Sequence, residues 1–149
     1  MTMLQHQITI DADIEKIWEV LADLSAVQRY NPLVVSVRYL SNRTEGVGAA
    51  RHCELKPRGW VEECVWEWSP PNVLGLEVSA STWPLAFMRW KTELRKNGNS
   101  TVLTQKTDYR IKFGPIGALM DSLVMRRMLN KSIVEILEKL KQFVETQCS

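Results

Sequence analysis

The chain has 149 residues and a formal net charge of +2, from 19 basic and 17 acidic side chains. That length suits one domain over residues 1–149, able to bury about 70% of its unfolded surface without staples. The even charge balance lacks the concentrated basic face of a nucleic-acid binder.

Hydrophobic residues make up 45% and charged residues 24%, ordinary for a water-soluble globular protein. Cys53, Cys64 and Cys148 are odd in number and hold no C-x-x-C pair, so neither a disulfide framework nor a zinc site is expected. A reduced, cytoplasmic chain follows. Residues 1–10 lack the basic start and apolar run of a signal peptide. No stretch reaches the ~20 apolar residues of a membrane span. Six tryptophans stand beside only three Phe and three Tyr, more indole than an aliphatic core needs.

Residues 3–10 alternate, with Leu4, His6, Ile8 and Ile10 on one parity and the polar Gln5, Gln7 and Thr9 on the other, which predicts a half-buried strand. Asp11 and Asp13 then offer helix N-caps. Ile14, Ile17, Trp18 and Leu21 follow at helical spacing. Residues 25–30 predict a short second helix, stopped by Asn31-Pro32. Six strand-like runs come next, at 33–40, 49–55, 60–68, 73–80, 87–95 and 101–113, separated by turn residues such as Asn97-Gly98-Asn99. Strand after strand with no helix between them predicts an antiparallel meander.

Residues 116–146 predict one long helix with Pro115 at its start. At ~1.5 Å per residue it spans a whole domain, so the sheet must pack on it. Leu119, Ser122, Met125, Leu129, Ile133, Leu137 and Leu140 lie on its main stripe. Ile116, Met120, Leu123, Val124 and Met128 lie off that stripe, so the first half is apolar nearly all round. Burial under the loops near Asn31 and Trp83 is the expected reason. A dimer patch or a face touching membrane is the sharper alternative.

Several segments together resemble the SRPBCC helix-grip superfamily, and within it the polyketide cyclase/dehydrase and lipid transport branch. They are Ile10-Asp11-Ala12-Asp13 leading into Ile17-Trp18-Glu19-Val20-Leu21-Ala22-Asp23, then Tyr30-Asn31-Pro32, Gly46-Val47-Gly48, Glu67-Trp68-Ser69-Pro70-Pro71 and Gly114-Pro115-Ile116-Gly117. The resemblance implies an α+β fold. A curved seven-stranded antiparallel sheet wraps a long C-terminal helix, with one or two short helices after the first strand. It implies a cavity for a small hydrophobic ligand and carries no catalytic signature.

The strand at 60–68 places Trp60, Glu62, Cys64, Trp66 and Trp68 on one parity, expected to face the helix. Trp66, Trp90 and Tyr109 are then expected to wall a cavity of several hundred Å3. Trp18, Tyr30, Arg51, Thr107, Met120 and Leu123 complete the expected ligand-binding set. Glu62 and His52 are the candidates for acid–base chemistry, with Tyr109 and Arg51 beside them. Arg51 is also suited to a ligand carboxylate. Metal spacing and a phosphate loop are absent, so no cofactor or metal is expected. The leading reading is a binder or carrier of a lipid, polyketide or isoprenoid-like molecule. A cyclase- or dehydratase-type enzyme ranks second and a homodimeric interaction module third. Arg126-Arg127 is a basic spot suited to acidic lipid headgroups.

Overall fold

The computed structural model describes residues 2–147, so Cys148 lies outside the described residues. Strand β1 (Thr2–Ile10) leads into helix α1 (Ile14–Ala22), a 3-10 turn (Leu24–Ala26) and the single turn α2 (Val27–Tyr30). Six strands follow: β2 (Val34–Tyr39), β3 (Ala50–Leu55), β4 (Trp60–Ser69), β5 (Val73–Ser81), β6 (Leu85–Asn97) and β7 (Ser100–Ile111). The chain ends in α3 (Gly114–Met120), a π turn (Asp121–Met125) and α4 (Arg126–Gln147). All seven strands form one antiparallel sheet in the order β1-β7-β6-β5-β4-β3-β2. This is the expected helix-grip architecture.

Asp13 occupies the N-cap of α1, but its side chain makes no capping bond. The backbone N–H of Asp11 turns instead to Glu145 on α4, 2.7 Å away. Ile14, Ile17, Trp18 and Leu21 are the buried face of α1, as their spacing predicts. They share one buried core with Ile133, Leu137, Leu140 and Val144 of α4 and Val65, Leu74, Leu76 and Leu103 of the sheet. Each such side chain stabilises the fold by roughly 1.5–3 kcal/mol.

The inward row of the long helix runs Gly117, Asp121, Met125, Leu129, Ile133 and Leu137, a constant step of four. A 3.6-residue helix turns a step-of-four row by about 40° each time. The π turn is wider and takes up part of that drift. It also changes which side of the early helix faces in. The row there is small and polar, whereas Ile116, Leu119, Leu123 and Val124 are 60–67% exposed. Burial of Ile116, Leu123 and Val124 under the loops, the expected arrangement, is therefore corrected, and so is the place of Leu119 and Ser122 on the inward stripe, since both are exposed.

Two contacts hold this part of the helix. A Cβ on Gly117 would lie 2.0 Å from the carbonyl oxygen of Lys112, so only glycine lets the helix sit on the end of β7. Asp121 is 5% exposed and accepts hydrogen bonds from the hydroxyls of Thr2 and Tyr109 and from Arg126. These bonds hold its carboxyl below the usual range against the opposing effect of burial. Burial and the bond to Asp121 push the Tyr109 hydroxyl up to about 12.

Because a backbone atom cannot yield, Gly117→Ala should destabilise the protein by about 1–3 kcal/mol, the usual cost of overpacking. Urea unfolding checks this, and an unchanged midpoint would show the helix free to lift off β7.

Candidate functional site

Strand β3 buries Arg51, Cys53 and Leu55 and turns His52 and Glu54 outward. Its partner β4 sets Arg51 opposite Glu63 and His52 opposite Glu62. Two charge clusters therefore lie back to back across one sheet.

The inner cluster is buried. Nε of Arg51 donates to Oε1 of Glu63 at 2.9 Å, and Nη1 donates to the carbonyl of Leu24 at 3.0 Å. Arg51 is 4% and Glu63 2% exposed. Tyr30 lies beside the guanidinium, and burial raises its hydroxyl pKa. Burial also pushes the Glu63 carboxyl above its ordinary range, opposed by Arg51. Burial works against the Arg51 charge, but Glu63 and Tyr30 more than offset it. The Cys53 thiol is pushed up to about 12, chiefly by burial. Oε2 of Glu63 is buried with no hydrogen-bond partner among the described residues.

These groups line one end of a cavity of about 160 Å3 between the sheet and α4. Leu74, Leu76, Leu103, Ile133 and Leu137 supply apolar wall, and Trp83, Met88 and Trp90 project from β6 and the turn before it. Thr92, Gln105 and Thr107 add isolated polar groups. The Thr107 hydroxyl, like Glu63 Oε2, has no partner among the described residues. An apolar wall with a few fixed polar atoms is the composition of a small-molecule site. The volume falls below the expected several hundred Å3, with the bulky side chains of Tyr30, Trp83, Met88 and Trp90 among those that line it.

A family model described as polyketide cyclase/dehydrase and lipid transport matches residues 1–145. The chain belongs to that family. None of the curated proteins matches the sequence. Among solved structures, TTHA0849 from Thermus thermophilus is 16% identical, with a TM-score of 0.83 over 99% of this chain and 100% of that one. A START superfamily protein from Mycobacterium smegmatis is 14% identical, with a TM-score of 0.81 over 97% and 98%. A norcoclaurine synthase point mutant from Thalictrum flavum, in complex with a transition-state analogue, is 12% identical, with a TM-score of 0.75 over 99% and 96%. At these identities the likeness is one of fold.

In this member of the polyketide cyclase/dehydrase and lipid transport family, the parity expected for 60–68 is reversed. Val61 and Glu63 line the cavity and Val65 is buried. Trp60, Glu62 and Trp66 face the other side of the sheet. Trp60 stacks on His52 with ring centres 5.4 Å apart. Trp66 lies under Arg89, whose guanidinium carbon is 4.2 Å from the ring centre. Gly75 makes room for that indole, since a Cβ there would lie 2.6 Å from the ring. Trp66 is thus not a cavity wall. A register shift between Val65 and Glu67 turns the strand, and Trp68 packs inward on Trp18 at 5.2 Å, edge to face.

Of the remaining expected residues, Tyr30, Arg51, Trp90 and Thr107 line the cavity. Trp18 is buried against Trp68 rather than on the cavity surface. Tyr109 is fully buried, but its hydroxyl is spent on Asp121. Met120 and Leu123 are 47% and 62% exposed, on the outer side of the helix. Glu62 and His52 lie outside the cavity, and of the four acid–base candidates only Arg51 enters it. Arg51 is already paired, so it is not a free partner for a ligand carboxylate. Glu63 and Cys53 are cavity residues outside the expected set; the signal available was their shared parity with Val61 and Arg51 across a β3–β4 hairpin.

The outer cluster has its own electrostatics. His52 Nε2 is 2.7 Å from Glu54 and Nδ1 is 2.6 Å from Glu62. The bond to Glu54 and then that to Glu62 raise its pKa above 6.5. A raised folded-state value means that this contribution to stability is full below the unfolded value and is lost as pH rises through the folded one. NMR titration should therefore find His52 charged beyond pH 6.5, and E54Q should lower its midpoint. For the inner pair, Arg51→Leu strands a buried carboxylate and should cost about 3–5 kcal/mol, whereas Arg51→Leu with Glu63→Leu should unfold near the wild-type midpoint. Equal losses in the two variants would show that Glu63 gains nothing from Arg51.

Proposed function

We propose that the chain, as one helix-grip domain, is a binder or carrier that holds a small hydrophobic molecule in the cavity by its hydroxyl-bearing end. One observation carries this: two buried polar atoms with no hydrogen-bond partner among the described residues, Glu63 Oε2 and Thr107 Oγ1, belong to residues lining a mostly apolar cavity. An orphaned buried acceptor costs about 1–3 kcal/mol, which a ligand donor would recover. Arg51 is neutralised by Glu63, so a ligand carboxylate finds no free cation and meets the Glu63 acceptor instead. The space of about 160 Å3 suits a single ring. A lipid, polyketide or isoprenoid-like molecule would seat one end there and extend its remainder out of the cavity.

An enzyme acting in the same cavity is the second reading. It draws on Glu63, whose carboxyl is held up by burial beside the Tyr30 hydroxyl. A proton donor or acceptor there is a better acid–base candidate than Glu62 or His52. A reduced, cytoplasmic setting fits Cys53 and Cys64, both free thiols; no described helix is long and apolar enough to cross a membrane. Peripheral membrane contact and a homodimer both draw on the exposed first half of the long helix, and its charges favour the first.

The test uses methyl NMR of the purified protein with toluene, p-cresol and p-toluate. The p-cresol shifts should gather at Leu74, Leu76, Ile133 and Leu137. Toluene should bind about 2–13-fold more weakly, the worth of one hydrogen bond of about 0.5–1.5 kcal/mol, and p-toluate more weakly still. Thr107→Leu, which fills the space, should abolish all three. Scattered or absent shifts with every probe would sink the cavity reading; equal binding of toluene and p-cresol would sink its polar end.

A further inference from the structure

The early part of the long helix is built inside out. Its inward row is Gly117 and Asp121, while Ile116, Leu119, Leu123 and Val124 stand 60–67% exposed. Phe113, at the corner between β7 and α3, is 65% exposed in a left-handed conformation with φ of 79°. Of the twelve large apolar side chains that stand exposed among the described residues, seven fall between Phe113 and Met128. Single exposed apolar residues need no explanation, but a contiguous patch marks a contact surface.

The charges around this patch are one-sided. Arg110, Lys112 and Arg127 flank it, Arg126 is ion-paired with Asp121, and Asp121 is the only carboxylate from 110 to 127, buried and bonded to Thr2, Tyr109 and Arg126. Beside Phe113 lies an open cleft lined by Arg110, Lys112 and Arg126, with Asp121 at its floor. The patch also adjoins the cavity end, since Met125 packs with Leu129 and Met88, both of which line the cavity.

We infer that this face docks on the surface of an anionic phospholipid bilayer. Phe113, Ile116, Leu119 and Leu123 enter the headgroup boundary, and the arginines and Lys112 meet the phosphates, the arrangement of an interfacial amphipathic helix. A second copy fits worse. A two-fold interface sets the same patch against itself, which brings Arg110, Lys112 and Arg127 of one copy toward those of the other.

The probe is vesicle flotation with full-length protein. Vesicles of phosphatidylcholine with 30% phosphatidylglycerol are compared with pure phosphatidylcholine, at low and high salt. Binding is expected to the anionic vesicles, to weaken at high salt, and to fall more than tenfold in Leu119→Glu and Leu123→Glu. Both side chains are exposed, and an unchanged thermal midpoint confirms that the variants fold. Arg127→Glu should weaken binding without altering self-association. Three results would overturn the inference: no binding to anionic vesicles, equal binding to both vesicle types, or a dimer by sedimentation velocity that Leu119→Glu dissociates while vesicles are ignored.

Discussion

A seven-stranded sheet has far more apolar face than one helix can cover, and that mismatch shapes this molecule. Strands lie about 4.8 Å apart, so seven of them span roughly 30 Å, while a helix with its side chains is about 10–12 Å wide. The sheet must therefore curl around α4, and something else must cover the remainder. Helix α1 covers part of it through Ile14, Ile17, Trp18 and Leu21. The turn of α2 brings Val27 and Tyr30 over the β3–β4 end. The uncovered remainder, between these helices and the concave face, is the cavity.

What occupies one wall of that cavity is costly. An arginine and a glutamate taken out of water lose hydration that their mutual attraction recovers only with good geometry and full hydrogen bonding. Arg51 comes close, with Glu63 and the Leu24 carbonyl as acceptors. Glu63 does not, because one oxygen is left over. Apolar residues of similar volume would serve stability as well or better. Under the proposed binding role, the pair would serve a bound molecule rather than the stability of the fold. The outer cluster of His52, Glu54 and Glu62 differs in kind. It needs no ligand, since both imidazole nitrogens have carboxylate partners on the same face of the sheet.

Element order was legible in the sequence because it depends on turn chemistry and periodicity, which are local. The Asn97-Gly98 turn, the α1 spacing and the stripe of α4 all carried into the structure. The facing of β4 was not legible for a physical reason. The aromatic surface of Trp60, Trp66 and Trp68 on one parity favours turning that face inward, yet indoles also serve on an outer face when a cation and a glycine accommodate them, as Arg89 and Gly75 do for Trp66. The inward parity carried Glu63, whose partner Arg51 sits on another strand, and only the cross-strand register brings the two together. A one-residue change of facing exchanged Glu62 for Glu63 and took Trp66 out of the cavity wall, while Tyr30, Arg51, Trp90 and Thr107 line it as expected. Trp68 escaped that exchange through the register shift after Val65.

The early helix failed to match expectation for a related reason. Apolar residues all round imply burial only if the neighbouring element offers an apolar surface to receive them. Here the end of β7 offers the Lys112 carbonyl and the Tyr109 hydroxyl, which demand a glycine and a carboxylate. Gly117 and Asp121 answer that demand and so claim the inward side. The π turn then lets the same row continue into Leu129 and Ile133, where the wall becomes apolar again. The apolar residues of the first turns are left outside by elimination. A buried polar anchor has displaced them to the surface, and the exposed patch is the complement of the Asp121 site rather than a defect in the core.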